Sequence, residues 1–381
     1  MIPNQRPVGG RAEIKALAKI IKSGWWGKGQ EVEEFEKKFA DYISVPYTVA
    51  VTSCSAALDL ALKALNIGAV TGGSDKDEVI VPTMTFVATA MAPKINNCQT
   101  VLADIEPDSL CLDPEKLPIT KNTKAVIAVH NAGVVANIKA IKEKFAGPVI
   151  EDCAHACLSK GAGQDGDLAC WSFQAIKNLP AGDGGMITTY NKKLYEKIKA
   201  MIWYGVKEST YERIRKGNYA WEYDIDSLGY KYYMTDIPAA IALEQLKKLD
   251  KKNAKRRVIA ARYDAELNGF IKKPVYSETV QYYIARVTNR NALVEFLTNK
   301  GIHVSVHYKP LHLHTYFQDD PTKYPVADKI WQNLITLPVH DKLSDKDVSY
   351  IIKSVKEGIS ELAKVSSENI MEPVMINQLK T

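Results

Sequence analysis

Two segments of the chain carry side chains suited to cofactor chemistry. In Pro148-Val149-Ile150-Glu151-Asp152-Cys153-Ala154-His155-Ala156 an apolar run delivers a carboxylate and then an imidazole. Asp152 so placed can keep a ring nitrogen protonated, and His155 can reach a neighbouring ring substituent. The same residues also read as an Asp capping the next helix beside a core His whose bonds are satisfied. In Cys170-Trp171-Ser172-Phe173-Gln174-Ala175-Ile176-Lys177-Asn178, followed by Gly182-Asp183-Gly184-Gly185, a lysine stands between an apolar strand and a glycine-rich turn, away from any charge run. That setting suits a Schiff-base amine kept neutral by partial desolvation, with glycines that let backbone approach a flat cofactor. An exposed lysine ahead of a turn is the plainer account.

Two further segments complete the set. Thr52-Ser53-Cys54-Ser55-Ala56-Ala57 places small hydroxyl residues between a strand and a helix start. Backbone N–H groups and the positive end of a helix dipole seat a phosphate at such a place, although a Ser N-cap alone has the same appearance. Pro82-Thr83-Met84-Thr85-Phe86-Val87-Ala88-Thr89 puts an aromatic ring just past a strand end, in reach of a planar ligand or of the core. A phosphate seat, a stacking ring, an acid for a pyridine nitrogen and an imine-forming lysine are together what pyridoxal 5′-phosphate (PLP) requires.

The elements that must position these groups follow from the hydrophobic pattern. Short β-branched runs at Thr48–Val51, Glu78–Val81, Thr100–Ala103, Ala125–Val129 and Pro148–Glu151 alternate with helical stretches at Ala56–Leu65 and Ile138–Phe145. This alternation predicts an α/β fold with a mixed, mainly parallel sheet, in which ligands sit beyond the carboxyl ends of the strands. Two helices flank Gly24-Trp25-Trp26-Gly27-Lys28-Gly29 near the start, and a charged helix over Pro238–Leu267 reads as a connector. A large cofactor domain is expected over residues 1–250 and a smaller C-terminal α+β domain over 251–381, with weak patterning from Ser366 to Thr381.

Composition narrows the function. With 381 residues and 46% hydrophobic content, the chain is longer than one core usually grows. The net charge of +6 comes from 50 basic and 44 acidic residues without a polybasic block. That argues against nucleic acid and fits a small anionic ligand. No apolar run approaches the roughly 20 residues of a membrane span, and the first residues have no signal-type apolar region. No membrane partner is expected, and the cytoplasm is the expected location. The six cysteines are irregularly spaced in apolar segments and read as reduced, buried thiols. Cys153-Ala154-His155-Ala156-Cys157 lacks a second ligand pair at zinc spacing, so no metal is expected. A nicotinamide dehydrogenase is set aside because no Gly-x-Gly-x-x-Gly follows the first strand.

Six ordered motifs run along nearly the whole chain. They are Ser23-Gly24-Trp25 with Gly29 and Val32–Glu36, Asp77–Pro82 with Thr85–Thr89, Glu151–Ala156, Ser172-Phe173 with Lys177-Asn178 and Gly182–Gly185, Gly229–Tyr232 with Met234–Ile237, and Val306–His312. In these the sequence resembles the DegT/DnrJ/StrS group of nucleotide-sugar aminotransferases, which are fold-type-I PLP-dependent transferases. The resemblance implies PLP held covalently at Lys177, Asp152 paired with the pyridine nitrogen, His155 near the ring hydroxyl and Phe86 stacked on the ring. It implies phosphate contacts from Ser55, the backbone of Ala56, and Ser172. It further implies a homodimer in which the Gly229–Ile237 loop, with Tyr233, reaches the neighbour's cofactor. Trp25, His307, Tyr308, Lys309 and His312 are expected on the sugar-nucleotide side, with the last four equally readable as surface of the small domain.

The reaction implied moves an amino group, from glutamate, to a 3- or 4-keto group of a nucleotide-linked deoxysugar, leaving 2-oxoglutarate. Some relatives carry His at the lysine position and dehydrate instead; Lys177 argues against that. Three places depart from the group's pattern: Tyr233, where relatives have Asn or Arg; Asn131–Asn137 after His130; and Ile202-Trp203-Tyr204-Gly205, which lacks an Arg. They keep open an acceptor such as a cyclitol or another ketone without a nucleotide. Intact Lys177 and Asp152 speak against a non-catalytic regulatory relative.

Overall fold

The computed structural model describes residues 1–157, 159–216, 221–225 and 227–368; most of the weakly patterned stretch from Ser366 to Thr381 lies outside them. Helices α1 (Arg11–Ser23) and α2 (Gln30–Ile43) precede the first unit, β1 (Tyr47–Val51) and α3 (Cys54–Ala64). There follow β2 (Glu78–Pro82), α4 (Val87–Ile95), β3 (Gln99–Ala103), β4 (Thr123–Val129), α5 (Ile138–Lys144), β5 (Val149–Asp152), β6 (Leu168–Ser172) and β7 (Gly185–Thr189). The strands form one seven-stranded sheet in the order β1-β7-β6-β5-β4-β2-β3. β7 runs antiparallel to β1 and β6, and the other pairs are parallel. The expected mixed, mainly parallel sheet is what forms.

Alternation along the strands divides the core into two layers, since successive side chains leave opposite faces of a sheet. Val49, Val51, Cys170 and Ile187 pack with α3 on one face. Ala50, Ala169, Trp171 and Met186 pack on the other with Phe35 and Phe39 of α2. β6 and β7 are buried along their whole length, as the interior strands of a sheet covered on both faces must be.

The rest of the chain comprises α6 (Lys192–Met201), α7 (Thr210–Lys216), α8 (Asp236–Leu246), α9 (Leu249–Glu266), β8 (Tyr283–Arg286), α10 (Arg290–Asn299), α11 (Pro325–Trp331), β9 (Leu334–Leu337) and α12 (Asp345–Glu368). β8 and β9 pair antiparallel over a separate core that includes Tyr263, Leu293, Ile335 and Ile352.

Position 250/251 falls inside α9. Leu249 packs in a large-sheet layer and Ile259 in the smaller core, so one helix serves both. The stretch Pro238–Leu267 is two helices rather than one. The chain turns at Lys247-Lys248, where the Lys248 ammonium pairs with the buried Glu13 of α1 and the Lys252 ammonium reaches back to Gln245. α4 has no counterpart among the expected helices because Pro93 lies inside it and reads as a break. Among the described residues no helix is long and apolar enough to cross a membrane.

Candidate active site

A cavity of about 450 Å³ opens at the carboxyl ends of β5 and β6, and it gathers Ser55, Phe86, Asp152, His155, Ser172, Lys177, His307 and Tyr308. Asp152 is the last residue of β5 and 4% exposed. Thr89 Oγ1 donates to its Oδ2 at 2.8 Å, and the Ala154 N–H donates to its Oδ1 at 3.1 Å. It therefore closes a local turn and does not cap a helix. Burial pushes the Asp152 carboxyl above its ordinary value, against the pull of those two hydrogen bonds and of the Lys177 charge. A buried acid in this condition gains from a cation placed in the cavity, and a protonated pyridine nitrogen is such a cation.

His155 Nε2 lies 3.0 Å from the Tyr308 hydroxyl, and its buried Nδ1 has no hydrogen-bond partner among the described residues. Burial first, then the charge of Lys177, holds this imidazole well below its ordinary value and therefore neutral. It has one ring nitrogen left for a ligand. Phe86 is 56% exposed, so it is not core, and its ring centroid sits 6.3 Å from that of Tyr308.

The start of α3, where a phosphate seat is expected, is capped by its own chain. Ser53 caps α3, its side chain accepting from the Ala56 N–H at 3.1 Å. The Ala56 N–H is thereby engaged within the chain, and Ala56 is absent from the cavity lining. The neighbouring Cys54 and Ser55 line it instead, at the helix turn whose N–H groups have no intrahelical acceptor. β7 passes directly beneath this turn: a Cβ on Gly185 would stand 2.5 Å from the Ser53 carbonyl carbon, so only glycine fits there.

The smaller unit closes the other side. His307 stacks on Tyr282 at a centroid distance of 3.8 Å, and its Nδ1 lies 2.9 Å from Thr336 Oγ1. Burial and Lys177 push the His307 imidazole down to about 3.

Four expected site residues lie elsewhere. Trp25 and Tyr233 line a separate pocket of about 100 Å³ together with Lys28 and Trp203; Tyr233 bridges to Val51, which fixes it against β1. Lys309 is exposed and outside the cavity lining. His312 is buried beside Thr83 at 2.7 Å and stacked on Tyr324, so its contacts are internal. Conversely, Thr89, Gln174, Asp183 and Tyr282 line the cavity without having been singled out. The first three stand inside motifs already noted, whereas Tyr282 lies in an apolar run with no local signal. His130, Glu151 and Cys153 form the metal-sized cluster among the described residues, but its bonds are taken. The Ala136 N–H donates to His130 Nδ1 at 3.0 Å, leaving Nε2 to donate to Glu151 at 2.7 Å.

A mixed α/β sheet with a buried acid and a lysine lining one strand-end cavity fits the class of fold-type-I PLP-dependent transferases. The profile of the DegT/DnrJ/EryC1/StrS aminotransferase family matches residues 7–356, and the chain belongs to that family. The spore coat polysaccharide biosynthesis protein SpsC of Bacillus subtilis is 35% identical over 382 residues, covering 93% of this chain and 96% of SpsC. The PLP form of Spr1654 from Streptococcus pneumoniae superposes with a TM-score of 0.86 at 32% identity, over 95% of this chain and 99% of that one. The sugar aminotransferase CalS13 of Micromonospora echinospora gives 0.84 at 27% identity, over 94% and 100%.

Proposed function

We propose that the chain transfers an amino group from glutamate to the keto group of a nucleotide-linked deoxysugar, as a cytoplasmic homodimer with PLP held covalently at Lys177. The observation that carries the reading is the meeting of Lys177 and the buried Asp152 in one cavity whose walls match a phosphorylated, planar ligand. Names among the relatives, a polysaccharide biosynthesis protein and a sugar aminotransferase, support a sugar acceptor. Six buried, unpaired cysteines support a reducing compartment.

When bound, PLP supplies an electron sink for the carbon that carries the amino group. Asp152 holds the proton on the ring nitrogen, on which that sink depends. The Lys177 amine takes and returns the proton at the amino-bearing carbon, first of the donor and then of the acceptor. His155 offers its free nitrogen to the ring hydroxyl, Phe86 covers the ring, and Ser55 and Ser172 meet the phosphate. Tyr282, His307 and Tyr308, which also line the cavity, would help exclude water from it.

Adding PLP to purified protein and following visible absorbance tests the cofactor, and borohydride followed by peptide mass tests its attachment to Lys177. Lys177→Ala should lose the covalent adduct and about 10³-fold or more of activity. A panel of nucleotide keto-sugars, with a cyclitol ketone as the competing acceptor, is then scored by mass for amine gain with glutamate present. Gain on the cyclitol alone would displace the nucleotide-sugar reading, and a monomer by light scattering would displace the homodimer.

A further inference from the structure

The acid of the cavity is held by more than the strand it ends. Thr89, on α4 and 1% exposed, donates to Asp152 Oδ2, and its hydroxyl is also 3.0 Å from Thr85 Oγ1. A hydroxyl has a single hydrogen, and an ionised carboxylate only accepts. Thr89 therefore gives its hydrogen to Asp152, and Thr85 must give its own to Thr89. The direction of both bonds is fixed. Thr85 is itself 3% exposed and stands in the cavity wall next to Phe86.

On the far oxygen, the Ala154 N–H donates and Cys54 Sγ lies at 3.9 Å. The other ionisable groups facing Asp152 are Lys177, His130, Tyr308 and the thiols of Cys153 and Cys170. Lys177 acts on it by charge, and neither Lys177 nor His130 has a hydrogen bond to it among the described residues. Thr89 is the side chain that orients Oδ2.

We infer that Thr89 is a positioning residue: with Thr85 it forms a two-hydroxyl relay that fixes the Asp152 carboxylate and keeps it ionised, and so sets how tightly the cavity holds a protonated pyridine nitrogen. This rests on the PLP reading above. A valine fills the same volume without the donor, so packing and the relay separate cleanly. A hydrogen bond to a charged acceptor is worth more than a neutral one, and losing it in a buried site favours the protonated acid.

The test uses the full-length protein and PLP itself. PLP affinity is measured by absorbance between pH 6 and pH 9 for wild type, Thr89→Val, Thr89→Ser and Thr85→Val, with circular dichroism and melting temperature as folding controls. Thr89→Val should bind PLP about tenfold or more weakly, with the acid limb of its affinity profile moved up by about one pH unit. The sign follows because a carboxyl that protonates at higher pH loses its attraction for the pyridinium sooner as pH falls. Thr89→Ser should restore both, and Thr85→Val should shift them in the same direction by less. Wild-type uptake of PLP with a folded Thr89→Val that matches it overturns the relay and leaves the proposed function standing. No uptake by wild type overturns both.

Discussion

Glu151, next to Asp152, is fully buried, and His130 and the Gly163, Asp165 and Gly166 N–H groups all donate to it. Burial alone would raise its carboxyl, but the His130 bond and the backbone donors outweigh it and hold the value below the ordinary one. A carboxyl depressed on folding contributes stability that is fully present above the unfolded value and is lost as pH falls through the folded one. Glu151→Gln should lower the free energy of unfolding by about 3 kcal/mol at neutral pH, and should flatten the fall in stability below about pH 4.5. Denaturant titrations at several pH values check both. That Asp152, His155 and Lys177 line one cavity was legible in the sequence, because each follows an apolar run at a strand end. Which serine caps α3, and the burial of His312, were not: which hydroxyl turns inward and which imidazole finds an internal partner depend on packing that no local pattern encodes.

At the scale of elements, the start of α3 is shaped by a strand distant in sequence. β7 runs so close under Ser53 that a side chain at position 185 has no space. Gly185→Ala should cost about 1–3 kcal/mol through forced displacement of the turn, and should weaken PLP binding along with it, because the displaced turn is the proposed phosphate seat. Thermal melts and PLP titration on the same sample measure the two together; unchanged PLP affinity would show that the seat moves independently of β7. The strands themselves were readable as apolar runs, since burial on both faces leaves a continuous hydrophobic signature. The antiparallel sense of β7 was not, because pairing direction is set by a connection and leaves no trace in the run. α4 escaped notice for a chemical reason: Pro93 lacks the N–H that a helix interior uses, yet the helix tolerates it near its end.

For the whole molecule, the cavity draws on distant parts of the chain: Asp152 and Lys177 follow strand ends of the large sheet, and Tyr282, His307 and Tyr308 come from the C-terminal part, where Tyr282 and Tyr308 pack against a large-sheet layer. A ligand bridging them stabilises the folded chain by mass action, by about 2.7 kcal/mol at a free concentration a hundred times its Kd. PLP should therefore raise the melting temperature, and, with α9 shared by both cores, should move one transition; two transitions with only one shifted would show that the units melt apart. The sheet order has a bearing on how the chain is made. β1 leaves the ribosome early, but its hydrogen-bonding partner in the sheet is β7, with Tyr47 opposite Thr189. At typical elongation rates that partner arrives on the order of ten seconds later. Until then β1 presents an open edge in the nascent chain, which makes the stretch before β7 the interval in which a chaperone has most to protect.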